Sequence, residues 1–153
     1  MNSHDELTYR LELAEGYLQQ AEADYVSSKW HGCMANAQES VENAGKAIVS
    51  CFAPVARSHH VVGQLAEVLQ TAQLPADLRQ ALVTMLPDFG KMGLAAHVRV
   101  TYGDERTFTP PWKLIQQPEA EAGLRRARDA VALGRRFLAY FSAPPQPEAD
   151  KPD

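Results

Sequence analysis

Residues 30–52, WHGCMANAQESVENAGKAIVSCF, carry apolar side chains at Cys33, Ala37, Val41, Ala44, Ile48 and Cys51. Steps of three and four put these on one face of a helix predicted from about Trp30 to Phe52, and Met34 and Phe52 widen the stripe. The alanines and Gly45 are small, which lets a neighbouring helix approach closely. Pro54 ends the helix, because proline has no N–H to donate to the ladder.

The same periodicity recurs on both sides. Leu7, Leu11, Ala14, Leu18, Ala21 and Tyr25 predict a helix over about Asp5–Ser27, with Ser3 and Glu6 reading as a capping box. Its exposed side is acidic, with Glu12, Glu15, Glu22 and Asp24. A third helix is expected from Ser58, a suitable N-cap, with Val61, Val62, Leu65, Val68 and Leu69 inward, ending before Pro75. From Pro75 to Tyr102 the pattern is helical again (Leu78, Leu82, Leu86, Phe89, Leu94, Val98), with a break or kink expected near Pro87. Residues 103–117 form a non-periodic loop in which Pro110-Pro111 argues against helix. The last helix opens at Pro118 and buries Leu124, Ala127, Val131, Gly134, Leu138 and Phe141. The proline-rich stretch 142–153 reads as a disordered tail. No alternating strand pattern and no internal repeat competes. The expected architecture is all-α, an antiparallel up-and-down bundle of four long helices plus one or two short ones in one domain, 1–141.

Composition narrows the function classes. The chain has 153 residues, 45% of them hydrophobic and 22% charged, which is ordinary globular usage. A formal charge of −4 gives no global attraction to nucleic acid or anionic membrane, so any such contact needs a local basic patch. No apolar run is long enough to span a bilayer, and the start lacks a secretory pattern, so a cytoplasmic protein without a membrane partner is expected. The two cysteines, Cys33 and Cys51, stand about 27 Å apart along one predicted helix, too far for a disulfide. No phosphate-binding loop, dinucleotide fingerprint, zinc-protease pair, nucleophile elbow or di-iron pattern occurs, and no cofactor or metal is expected.

Charged residues in the predicted helices allow few sites. Glu42 and Lys46, four apart, read as a surface ion pair. Glu39 reads as solvated or as part of a polar pocket between helices. Arg57, His59 and His60 read as a capped surface turn, with a phosphate seat at a helix N-terminus as the other reading. His97 and Arg99 have the types that metal-free RNA cleavage needs, yet two positions apart on a helix they do not face each other. His97 is then expected to pack or cap, and Arg99 to be solvated. Arg125, Arg126, Arg128, Arg135 and Arg136 on the last helix offer a phosphate-tracking stripe, but the acidic first helix is the better partner, within one bundle or across a dimer. Trp112 and Phe108 in the long loop either close over a base, anchor a partner, or staple the loop to the bundle.

Several segments in their order resemble the HEPN family of helical bundles. Ala37–Ile48 is similar to its A-x-E-x-x-x-K-A signature, Ser58-His59 with Leu65 and Leu69 to its histidine-led third helix, and Val100–Asp104 to its R-Y-P-D turn. Pro118–Ala122 opens the alanine-rich final helix, so the resemblance covers roughly residues 7–141. It implies nucleotide binding, a homodimer and a nucleotidyltransferase partner, in a setting of the toxin–antitoxin kind. It adds Lys46, Tyr102 and Asp104 to Arg57, His59, His97 and Arg99 as candidate ligand-binding residues. Thr101 and Gly103 depart from the turn's arginine and proline. The arginine followed four to six residues later by histidine, which marks ribonuclease members, is missing from the fourth helix. The expectation is therefore a non-catalytic module that binds a nucleotide, RNA or a nucleotidyltransferase partner, with no catalytic residue assigned. The alternatives are a ribonuclease toxin with an atypical site at His97, Arg99 and Tyr102, and a purely structural interaction module.

Overall fold

The structure is a computed structural model that describes residues 2–143. Among the described residues seven helices follow one another: α1 (Ser3–Val26), α2 (Trp30–Ser50), α3 (Val61–Thr71), α4 (Ala76–Lys91), α5 (Leu94–Tyr102), α6 (Pro111–Leu114) and α7 (Gln117–Ser142). The expected all-α bundle is the fold. Of the expected disordered tail, Ser142 closes α7 and Ala143 follows it, and 144–153 lie outside the described residues.

Helix α2 is the axis. It packs against α1 on one side, α7 on another, and α3 and α5 beyond them. Its predicted apolar line is buried at Cys33, Ala37, Val41, Ala44 and Ile48, but so is a second line, Gln38, Glu42, Gly45 and Val49. A helix enclosed on two faces needs small residues where its neighbours close in. A Cβ on Gly45 would lie 2.9 Å from Val61 and 3.2 Å from Phe89, and one on Gly123 of α7 would lie 2.6 Å from the Met34 sulfur. Burial lifts the thiols of Cys33 and Cys51 to about 11 and about 12, so neither is a nucleophile at neutral pH. Met34 and Leu133 are both buried inside this bundle. Phe52 packs edge-on against Phe137 and Phe141.

Arginines of α7 reach the acidic face of α1 within the same chain. Arg135 Nε stands 2.7 Å from Glu15, and Arg128 Nε 3.2 Å from Glu22. On the other flank Arg126 and Arg136 pair with Asp88 and Asp77 of α4.

Four boundaries differ from expectation. Asn2, not Ser3, caps α1, its Oδ1 accepting from the Asp5 N–H at 2.9 Å, while Glu6 turns to Arg10. Helix α3 starts at Val61, because the Ser58 hydroxyl accepts the His60 N–H and closes a turn before the helix begins. Helix α4 runs through Pro87, where Leu82 and Phe89 anchor it in the core, and the break falls at Met92-Gly93 instead. Pro111 opens a one-turn helix, since a proline at the first position gives up only an N–H that has no partner there. That turn is pinned by Pro111 and Ile115, both buried, leaving Trp112 and Phe108 outside.

Candidate functional site

The burial of two faces of α2 puts charge where the sequence suggests solvent. Glu42 is only 4% exposed, so its pairing with Lys46 is an interior contact and not the expected surface pair. Helical spacing places Gln38 one turn before Glu42 and Lys46 one turn after it. The Lys46 ammonium donates to Oε1 at 2.7 Å, and the Gln38 amide donates to Oε2 at 3.1 Å. The second oxygen also meets His59 Nδ1 at 2.7 Å, across the connection between α2 and α3. Burial pushes the Glu42 carboxyl up, but the hydrogen bonds from Lys46, His59 and Gln38 outweigh it and hold the group below the ordinary glutamate range. An ionised carboxylate only accepts, so Nδ1 of His59 is the donor and Nε2 is its remaining ring nitrogen.

His97 completes the seam. Its ring stacks on that of His59, centroids 3.8 Å apart and planes 15° from parallel. The break at Met92-Gly93 makes this possible. Gly93 carries no Cβ, and one built there would sit 3.4 Å from the His59 carbonyl oxygen. Helix α5 therefore starts against the His59 backbone and brings His97 over the ring one turn later. Glu39, half-buried beside this pair, has its carboxyl raised by desolvation first and by the charge of Glu42 second. Two buried polar atoms in the seam, Gln38 Oε1 and His97 Nδ1, have no protein partner. Among the described residues no group of three or more histidine, cysteine or acidic side chains is placed to hold a metal ion.

The other candidates lie elsewhere. Arg99 keeps a side chain 40% exposed but is engaged: its guanidinium clasps Glu119 of α7 through two hydrogen bonds, at 2.9 and 2.7 Å. That bond to Glu119 holds the guanidinium pKa above its usual range, and the pair ties α5 to α7. Arg57 is exposed beside a groove of about 620 Å³ where the start of α1 meets the end of α2. Tyr102 and Asp104 border a cleft of about 420 Å³ formed with the loop that ends in Phe108. Of the residues named from the sequence, Lys46, His59 and His97 are thus brought together, while Arg57, Arg99 and the pair Tyr102 and Asp104 occupy three further places. Gln38 was missed, and Glu42 was read as half of a surface pair and not as part of a site. The available signal was the line Gln38, Glu42, Gly45, Val49, whose glycine and valine mark a second covered face.

The comparisons with known proteins agree with this architecture. The bundle superposes on the crystal structure of TT1696 from Thermus thermophilus with a TM-score of 0.64, covering 90% of this chain and 99% of that one. At 23% sequence identity this likeness concerns the fold. No curated protein sequence matches the chain. The sequence profile of the HEPN domain matches residues 7–140, almost the whole of the described bundle, and the chain therefore belongs to the HEPN domain family.

Proposed function

We propose that this HEPN protein is a non-catalytic binding module whose seam between α2, the α2–α3 connection and α5 receives a nucleotide or a nucleotide-bearing partner. The observation that carries this reading is the His59–His97 stack, locked by Glu42 and flanked by Lys46. A site held rigid before the ligand arrives loses little entropy on binding. Here one imidazole has a fixed tautomer, and His97 Nδ1 and Gln38 Oε1 are buried polar atoms that the fold leaves without a partner. In keeping with the family, the module acts in the cytoplasm as a homodimer beside a nucleotidyltransferase. No helix among the described residues is long and apolar enough to cross a membrane.

The test is a thermal-shift series with nucleoside mono-, di- and triphosphates on the wild type and on His59→Ala. A ligand at about 100 times its Kd adds about 2.7 kcal/mol to stability, several degrees in Tm for a domain of this size. A shift in the wild type that disappears in His59→Ala supports the seam. No shift with any nucleotide would sink it and leave the purely structural module.

The ribonuclease reading keeps one observation in its favour. A carboxylate on Nδ1 orients His59 as it would orient a general base, with Nε2 left to take a proton. Against the version that pairs His97 with Arg99, the arginine is engaged by Glu119. RNA cleavage by the purified protein that is lost in both His59→Ala and His97→Ala would establish the enzyme and overturn the binding module.

A further inference from the structure

A second feature lies outside the seam, in the loop between α5 and α6. Gly103 turns the chain at φ +74°, a conformation closed to proline, and a Cβ there would overlap the Thr109 carbonyl. Asp104 and Thr109 then exchange both backbone hydrogen bonds, at 2.9 and 3.0 Å, so residues 104–109 form a pinched turn. Inside it the Asp104 carboxylate accepts the Arg106 N–H at 2.9 Å, and the hydroxyls of Thr107 and Thr109 share a bond of 2.8 Å. This rigid turn holds Phe108 at φ +54°, a left-handed conformation that disfavours a bulky side chain. It also leaves the ring 92% exposed.

Neither the strain nor the exposed ring is repaid by the fold. Among the described residues Phe108 packs against no other aromatic, and neither does Tyr102, which is 60% exposed. Both rings border the same cleft of about 420 Å³, together with Asp104, Glu105 and Pro110. Asp104 is committed to the turn and to Arg106, whose Nε stands 3.7 Å away. Glu105, exposed at the rim, is the carboxylate left to a ligand.

From this arrangement we infer that Tyr102 and Phe108 form a clamp for a flat ring, and that Glu105 selects guanine. Two unpartnered aromatic faces on a rigid frame are a stacking platform. A carboxylate presents two acceptors and no donor. Guanine is the nucleobase whose Watson–Crick edge carries two adjacent N–H donors, matching both oxygens, whereas adenine, cytosine and uracil each place an acceptor against one of them. Arg106, at the turn's tip, supplies the cation for the attached phosphate. The guanine is either a free nucleotide or a base of single-stranded RNA. The choice of a nucleobase among flat rings rests on the nucleotide reading proposed above; the clamp occupies a different place.

Calorimetric titration of the full chain with guanosine 5′-monophosphate, adenosine 5′-monophosphate and the single-stranded RNA pentamer UUGUU tests it, with tetramethylammonium as the cation control. The guanine ligand is expected to bind at least tenfold tighter than the adenine one. Tyr102→Ala and Phe108→Gly each weaken it about tenfold or more. Glu105→Gln removes the preference for guanine, and Arg135→Ala, whose partner is Glu15, leaves the binding unchanged. UUGUU binding tighter than the mononucleotide assigns the clamp to RNA, and the reverse to a free nucleotide. Guanine binding lost in His59→Ala but kept in Tyr102→Ala and Phe108→Gly overturns the clamp and leaves the seam standing. The opposite pattern supports the clamp, and the His59-dependent thermal shift reports on the seam separately. Binding of tetramethylammonium without either nucleotide overturns the inference in favour of a cation site. A change in oligomeric state of Phe108→Gly, with nucleotide binding unaltered, overturns it in favour of a protein contact.

Discussion

Two sets of charges in this bundle have the same ingredients and opposite surroundings. Along α7, Arg128 and Arg135 meet Glu22 and Glu15 in the open, with both arginine side chains more than half exposed. In the seam, Glu42 is 4% exposed and meets Lys46, 11% exposed, and His59, 36% exposed. Exposed pairs work against high dielectric, salt and side-chain entropy, and each contributes at most about 1 kcal/mol. A buried carboxylate has lost its hydration, so its partners are required and not merely helpful. The contrast separates charge used for attachment from charge used to build a defined site.

Substitutions at the two places should separate sharply. The largest effect is expected for Glu42→Ala, which leaves the largely covered Lys46 without its partner and frees His59, and should cost about 3–5 kcal/mol in chemical denaturation. A loss under about 1 kcal/mol would mean that the seam is hydrated like the α7 row. Smaller and opposite in sign is Phe108→Gly, which removes the left-handed strain and should raise stability by about 0.5–1 kcal/mol; a loss would show that the ring is used inside the fold. Arg135→Ala should fall within about 0.5 kcal/mol of the wild type, and less still in molar salt. A cost as large as that of Glu42→Ala would erase the contrast.

Acid should act on the seam in two stages. The Glu42 pKa is lowered by folding, so its contribution is complete above the ordinary glutamate range and is lost as pH falls through the lower, folded value. Glu42→Gln is therefore destabilising at neutral pH, and its difference from the wild type vanishes in strong acid. The Glu39 pKa is raised by folding, so its ionisation is a penalty present above the folded value and absent below the ordinary range. Glu39→Gln is expected to stabilise at neutral pH, with the gain fading on acidification before the Glu42 contribution starts to fall. Urea denaturation at a series of pH values distinguishes the two; parallel curves for both variants would contradict the assigned directions.

How much of this was legible follows from the range of each signal. The stripe from Cys33 to Ile48, the breaker at Pro54 and the first-turn Pro118 are local, and the helices they predict are present. The pairing of α7 with α1 was readable from charge alone, because each helix shows an excess of one sign. The capping box failed by one residue, as Asn2 and Ser3 are both good caps and only the chain's approach chooses between them. Pro87 misled for a related reason: a proline removes one hydrogen bond, and side chains buried on either side of it hold the helix straight enough to continue.

The sequence by itself determined the helices, their apolar faces, the all-α bundle and the residue types available for a site, because helical periodicity and capping act over a few neighbouring residues. Only the tertiary structure decided which of those types meet. Residues 42, 59 and 97 are brought together by an irregular connection and a glycine corner, neither of which leaves a periodic trace. The covered second face of α2 turned an apparent surface pair into a buried one, since burial belongs to the packing of other helices and not to the spacing of Glu42 and Lys46. The clamp likewise depends on Gly103 and the Asp104–Thr109 pinch, whose geometry arises when the loop closes on itself.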